Sequence, residues 1–185
     1  MLIGITGTDG AGKGAVVAYL IAQKGFAHYS ARAIWEEEFK KRGIESTRAN
    51  MRLIANELRA VHGNDFLIKY YLQKMGNTSE IDAIIESIRT VAEVETLKKE
   101  GGILLAVDAE TKTRYKRIKG RKSTSDKVSF EEFVAHEQLE MNDPDPSGMQ
   151  KSKVMTMADY TIKNNGTMFE LKTKIKTFLD EVNYD

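Results

Sequence analysis

The chain of 185 residues has no cysteine. Disulfides, thiolate catalysis and cysteine-type zinc sites are therefore excluded. Its three histidines, His28, His62 and His136, lie far apart and show no metal-ligand spacing. No Ser-His-Asp arrangement can be built from them. No run of 18 apolar residues occurs, so no membrane-spanning helix is expected. The opening MLIGITGTDG has no basic segment ahead of a long apolar run, which argues against a signal peptide. A cytoplasmic location is the expectation. An excess of either charge is also missing: 28 Lys and Arg stand against 27 Asp and Glu, a formal net charge of +1. A dedicated nucleic-acid binder is usually more lopsided. Only two prolines occur, both in the segment NDPDPSG from Asn142 to Gly148, which reads as a loop. Repeats, low-complexity tracts and linkers are absent. One globular domain spanning 1–185 is expected.

What is present is an alternation of short apolar runs with helical patterns. Leu2 to Ile5 reads as a buried strand, followed by a glycine-rich turn and a helix over 13–24 that Gly25 stops. A strand is expected at Phe26 to Tyr29, and Ser30 is placed to cap a helix running to Gly43. Two further helical stretches follow, from Thr47 to about Gly63 and from Asn64 or Asp65 to Gly76. Strands are expected at 81–85, 103–107 and 160–163. Helices fit 90–100, 111–119, 129–141 and 167–182, with a capping-box sequence at Ser129-Phe130-Glu131-Glu132. Five short apolar strands alternating with helices predict an α/β fold: a five-stranded parallel sheet flanked by helices on both faces.

The turn after the first strand reads Gly7-Thr8-Asp9-Gly10-Ala11-Gly12-Lys13. It matches G-x-x-x-x-G-K, and it stands between a strand and a helix, the context that gives the motif meaning. Glycines let successive backbone N–H groups point at phosphate oxygens. The following helix adds its positive end, and Lys13 adds a mobile charge. A nucleoside triphosphate is the expected ligand, held by Gly7 through Ala15. Gly14 stands where a serine or threonine would supply a hydroxyl to magnesium, and Ala15 follows it. The metal is therefore expected to be held through water and the phosphates rather than directly by the protein.

Four stretches in fixed order, GITGTDGAGKGAV, ESIRTVAEVETLKK, AVDAETKTRYKRIKGR and ADYTIKNNG, together with SFEEFVAHEQLE, resemble the P-loop nucleoside-monophosphate kinase and dephospho-CoA kinase superfamily. The pattern looks closest to an archaeal-type group of dephospho-CoA-kinase-like nucleotide kinases. The resemblance spans nearly the whole chain. It implies a P-loop kinase fold with a helical lid near 114–128, an acceptor-binding helical region near 31–76, and ATP and Mg²⁺ as co-substrate and metal. It implies that Arg89 touches the acceptor phosphate, that Glu86 orients magnesium waters, and that Asn164 and Asn165 lie beside the adenine. Arg117 and Arg121, with Arg114, would belong to the lid and neutralise phosphate charge in transfer. A solvated basic helix is the plain alternative for these arginines. The basic cluster from Lys112 to Lys127, opposed only by Asp126, suits polyphosphate at least as well as nucleic acid.

The acceptor region departs from the family. Ala33 and Glu36 occupy positions where related kinases carry an aspartate and an arginine. Arg32, Arg48, Arg52 and Arg59 are candidate replacements, with Arg59 aligning best. Asp9 resembles the Asp-Gly pair of thymidylate kinases and is read either as an acceptor ligand or as a turn-shaping residue. Trp35 is either core or a stacking surface for an acceptor base. Glu36, Glu37 and Glu38 read as a solvated helix face. The expected activity is transfer of the γ-phosphoryl group of ATP to a nucleoside or deoxynucleoside monophosphate. Dephospho-CoA is the second acceptor. A triphosphatase or a weakly catalytic nucleotide-binding regulator is the alternative class. Neither a nucleic acid nor a membrane is expected as partner.

Overall fold

The computed structural model describes residues 1–76, 82–120 and 128–184, with the Arg48 side chain also outside this set. Arg121 and the rest of 121–127 within the expected lid, and Ile81 at the start of the expected third strand, lie outside the described residues. In chain order the elements are β1 (Leu2–Gly7), α1 (Lys13–Lys24), β2 (Ala27–Ser30), α2 (Ala31–Arg42), α3 (Arg48–His62), α4 (Phe66–Met75), β3 (Ala83–Glu86), α5 (Val91–Lys99), β4 (Ile103–Asp108), α6 (Thr111–Gly120), α7 (Phe130–Met141), α8 (Lys151–Thr156), β5 (Tyr160–Lys163) and α9 (Met168–Glu181). The strands form one sheet in the order β2-β3-β1-β4-β5, with every neighbouring pair parallel. This is the five-stranded, helix-flanked fold that the alternation predicts.

Side chains alternate across the sheet because successive strand residues face opposite sides. Ile3, Ile5, Ile84, Leu105 and Val107 pack with Val16, Val17 and Leu20 of α1 and Leu171, Ile175 and Phe178 of α9. Leu2, Ile85 and Leu104 pack on the other side, with Ile54, Leu67, Ile68, Val94 and Leu97 of α3, α4 and α5. Both faces are covered, which explains why β1 and β4 read as continuous apolar runs.

Local chemistry sets the helix starts. Ser30 and Thr47 accept hydrogen bonds from Arg32 N and Asn50 N at the heads of α2 and α3. Capping boxes begin α5 at Thr90 with Glu93, α7 at Ser129 with Glu132, and α9 at Thr167 with Glu170. Two details depart from the sequence reading. Phe26 precedes β2 rather than opening it, because Gly25 closes α1 in the left-handed region and Phe26 turns into the core. The six-residue helix α8 was not expected. It has no side-chain cap and is too short to show a helical period.

Candidate active site

The carboxyl ends of the strands meet around the turn between β1 and α1, the place where parallel α/β sheets bind ligands. Gly7 has φ of +130°, and a Cβ there would lie 1.9 Å from the Val107 carbonyl oxygen of β4. Gly12 has φ of +104°, and a Cβ there would lie 2.5 Å from the Asn164 side-chain nitrogen. Neither position accepts a side chain, and the loop keeps its cradle shape for that reason. The Lys13 ammonium donates to the carbonyl oxygens of Gly7 at 3.1 Å and Thr8 at 2.9 Å. It lies 3.7 Å from the Asp9 carboxylate. Burial pushes Lys13 down to about 7; Asp9 opposes the shift, while Arg89 and Lys151 add to it.

The walls of this loop are tied to distant segments. Thr8 donates its hydroxyl to Asp108 at the end of β4, 2.7 Å away, and Lys163 donates to the other oxygen of the same carboxylate. Burial works to raise the Asp108 carboxyl, but the hydrogen bonds from Lys163 and Thr8 outweigh it and hold it below its ordinary value. Asn164, buried after β5, donates to the Ala11 carbonyl at 2.7 Å. Asn165 is exposed and bonds Glu110 through both ends of its amide. Asn164 and Asn165 thus lie at the rim of the loop.

The two described basic residues of α6 singled out for the lid differ sharply. Arg114 is buried. It makes a two-point ion pair with Glu137 of α7 and donates to the carbonyls of Ala109 and Asp9 and to the Thr111 hydroxyl. It anchors α6 and α7 to the phosphate loop and is not a solvated lid side chain. Arg117 donates to the carbonyls of Ala11, Asn164 and Gly166. It bridges the phosphate loop to the loop after β5. Arg121 lies outside the described residues.

A cleft of about 900 Å³ opens beside Lys13. Asp9, Gly10, Gly12, Lys13, Gly14 and Ala15 of the loop line it together with Arg32, Arg52, Arg59, Glu86 and Arg89. The structure therefore brings together in one cavity residues far apart in sequence. The turn that aims Glu86 and Arg89 carries a non-glycine residue in the left-handed region, Ser87, with φ of +80°. Both Ser87 N and Ile88 N donate to the Ile5 carbonyl of β1, which holds that turn against the phosphate loop. Glu86 sits at the end of β3, 3.2 Å from His28.

The arginines that line the cleft are not equally committed. Arg59 is only 4% exposed and lies 3.7 Å from the buried Glu93 carboxylate. Glu93 also accepts from the N–H groups of Arg89 and Thr90. Burial raises the Glu93 carboxyl against the nearby charge of Arg59. Arg52 grips Asp143 through two hydrogen bonds of 2.8 Å. Arg89, by contrast, bonds among the described residues through a single guanidinium nitrogen, to its neighbour's carbonyl, Ile88 O. Trp35 is buried in the core, as one of its two readings expects, and it also lines the cleft. The Glu36-to-Glu38 run lies partly on the surface, with Glu37 and Glu38 paired to Lys41 and Arg42.

Sequence reasoning missed two contributors. Lys151 of α8 is fully buried beside Asp9, and the 142–148 loop supplies the partners of Arg52 and Arg59. No periodicity or motif marks either.

Magnesium has no ready set of protein ligands. Among the described residues no group of three or more His, Cys, Asp or Glu side chains is placed to hold a metal ion. Gly14 offers no hydroxyl. The residues fit an ion carried by phosphates and water, with Glu86 and Asp9 as the facing carboxylates. Among the described residues no helix is long and apolar enough to cross a membrane.

Comparison with known proteins gives four matches. The AAA domain family matches residues 3–142. A UPF0200 protein of Methanocaldococcus jannaschii is 30% identical over 188 residues, covering 98% of this chain and 90% of that one. The structure resembles a shikimate kinase from Bacteroides thetaiotaomicron with a TM-score of 0.65 at 12% identity, covering 99% and 98% of the two chains. It also resembles an Acinetobacter baumannii shikimate kinase in complex with shikimate, with a TM-score of 0.57 at 18% identity over 100% and 95%. At these identities the structural likeness shows a shared fold, the five-stranded parallel sheet flanked by helices.

Proposed function

The chain belongs to the AAA domain family and to the UPF0200 family, and from that premise we propose that it is an ATP-dependent kinase acting on a small phosphorylated acceptor. A nucleoside or deoxynucleoside monophosphate is the first acceptor class. The observation that carries this reading is that Lys13 and its loop line the same cleft as Arg32, Arg59 and Arg89. A triphosphate on one wall and an anionic acceptor on the other would meet between them. The kinase fold of the structural neighbours supports it.

In such a reaction an acceptor oxygen bonds to the γ-phosphorus while the bond from that phosphorus to the bridging oxygen breaks. ADP leaves with the electron pair. A phosphate acceptor is largely ionised at neutral pH, so it needs no base. Positioning and positive charge then supply the catalysis. The loop N–H groups from Gly7 to Ala15 would hold the triphosphate, with Lys13 leaving the loop carbonyls for the phosphates. Arg89, with free guanidinium donors, would orient the acceptor phosphate, joined by Arg32 and Arg59. Arg117, held between Ala11 and Asn164, would fix the nucleotide side, with Asn164 and Asn165 near the base. Arg121 remains a proposed lid residue. Bound Mg²⁺ would neutralise phosphate charge, with Glu86 orienting its waters.

Asp9 favours a second acceptor class. A hydroxyl acceptor, as in dephospho-CoA, must lose a proton, and Asp9, a carboxylate that lines the cleft, would take it. The test is ADP formation with Mg²⁺ and ATP against each nucleoside and deoxynucleoside monophosphate, dephospho-CoA, and no acceptor. Stimulation by one monophosphate supports the first class. Stimulation by dephospho-CoA alone replaces it with the second. Equal slow hydrolysis in every well would overturn both in favour of a triphosphatase or nucleotide-binding regulator.

A further inference from the structure

The helices α5, α7 and α9 begin with the same capping box, but their glutamates differ. Glu132 of α7 and Glu170 of α9 lie at the surface, and hydrogen bonds from Ser129 and Thr167 hold their carboxyls below the ordinary value. Glu93 of α5 has no exposed surface, and burial raises its carboxyl. A surface carboxylate completes such a box as well as a buried one. Taking a carboxylate out of water costs far more than a helix cap contributes. Capping alone therefore gives no reason for the burial of Glu93.

Its two oxygens divide between two arginines of the cleft. Oε2 accepts from Arg89 N at 2.6 Å and from Thr90 N at 3.0 Å. The Arg89 carbonyl accepts from Gln150 N at 2.8 Å, so the main chain of Arg89 is held on both sides. Oε1 is buried and accepts no hydrogen bond among the described residues. It lies 3.7 Å from Arg59 Nε. Arg59 is itself 4% exposed, and it makes one hydrogen bond among the described residues, a long one of 3.4 Å to Ser147 O. Charge more than hydrogen-bond geometry therefore sets the place of its guanidinium. Arg52 is the contrast, since both of its bonds to Asp143 are 2.8 Å. A buried guanidinium with so few bonds, lining the same cleft as Arg89, suits an incoming anion. The charges of Arg59 and Arg89 both act on Glu93.

We propose that Glu93 is a positioning residue of the acceptor site: one buried carboxylate fixes the Arg89 turn with one oxygen and steers the Arg59 guanidinium with the other, so that both arginines meet the same acceptor anion. This rests on the reading of the cleft as the acceptor site. Glu93 touches no substrate; it acts through the two arginines.

The test uses the acceptor that most stimulates ADP formation among the nucleoside monophosphates and dephospho-CoA, with melting curves recorded for every variant. Glu93→Gln keeps the shape and an oxygen for the two N–H groups but removes the charge that faces Arg59. It is expected to raise the acceptor KM about tenfold, with the ATP KM within about twofold and kcat within about threefold of the parent. In an Arg59→Leu background the same change should move the acceptor KM by no more than about twofold, because it acts through Arg59. An acceptor KM that Glu93→Gln leaves unchanged or lowers would overturn the proposal. So would an equal rise in the ATP KM, or single-variant losses that multiply in the double variant. If Glu93→Gln does not fold, Glu93→Asp decides the matter, since it keeps the charge one methylene further back. An acceptor KM raised about threefold or more at unchanged ATP KM then supports the proposal, and an unchanged one contradicts it. A parent chain that no acceptor stimulates is a separate outcome, which removes the acceptor reading itself and this proposal with it.

Discussion

The two walls of the cleft are built by different means. The phosphate wall is backbone. Its shape follows from glycines with no room for a side chain, from a strand that ends beneath them, and from a helix that begins beside them. Its own long cation, Lys13, is bonded to main-chain carbonyls. The arginine wall, proposed to take the acceptor, is made of long side chains. Arg52 and Arg59 depend on Asp143, Glu93 and Ser147, drawn from α5 and the 142–148 loop. A backbone cradle fixes its shape through glycines that cannot be replaced and suits a constant ligand such as the phosphate chain proposed for it. A side-chain wall can be rebuilt position by position, which is why acceptor choice is proposed to reside there.

The contrast can be broken at its strongest point first. Lys13→Met should lower kcat/KM for transfer by about 10³-fold or more, since phosphoryl transfer relies on such cations. A matching melting curve would show that the fold is intact. Rates within tenfold of the parent would remove Lys13 from the mechanism.

On the acceptor wall, Arg59 should behave as structure and site at once. Arg59→Leu leaves the Glu93 carboxylate buried without its cation, and a loss of about 3–5 kcal/mol is expected in urea unfolding. Adding Glu93→Gln should recover most of that stability without recovering acceptor affinity. Recovery of both would make Arg59 purely structural. Arg89, less committed in the fold, gives the opposite split. Arg89→Ala should cost about 10²-fold in kcat/KM, roughly 2.7 kcal/mol, with little change in unfolding.

A smaller effect separates the walls by pH. The Lys13 ammonium sits at about 7 in the unliganded protein against 10.5 ordinarily, chiefly through burial. Between those values the unfolded chain carries a proton that the folded chain lacks. This group therefore makes the unliganded protein more stable as pH rises from about 7 to about 10.5, by at most about 1.4 kcal/mol per pH unit. A triphosphate favours the charged lysine, so its binding above pH 7 should take up as much as about one proton per site. Calorimetry at pH 8.5 in two buffers of different protonation enthalpy measures that uptake. Zero uptake would contradict the assignment of Lys13 to the phosphates.

The same contrast explains what the sequence could disclose. The phosphate loop was legible because its chemistry lies in spacing: two glycines, a lysine, and a strand and helix on either side. The sheet was legible because burial on both faces writes short apolar runs between helical periods. Arg59 was singled out, but its buried partner Glu93 was not, because Glu93 looks like an ordinary capping-box residue of α5. Arg114 was grouped with Arg117 by helical spacing. Spacing shows which residues share a helix face, not that Glu137 waits on α7 to bury one of them. Lys151 lies in a helix too short to leave a period, and its partners are Asp9 and Glu140. Such pairings depend on the folded path of the chain, and one sequence carries no local trace of them.

The central claim is that both walls act on one phosphorus atom. The direct measurement is ³¹P nuclear magnetic resonance of the reaction with ATP, Mg²⁺ and the acceptor that most stimulates ADP formation, following where the γ-phosphorus goes. The account predicts its appearance as a new phosphoryl group on the acceptor in step with ADP. Its appearance only as inorganic phosphate, with every acceptor, would contradict the account.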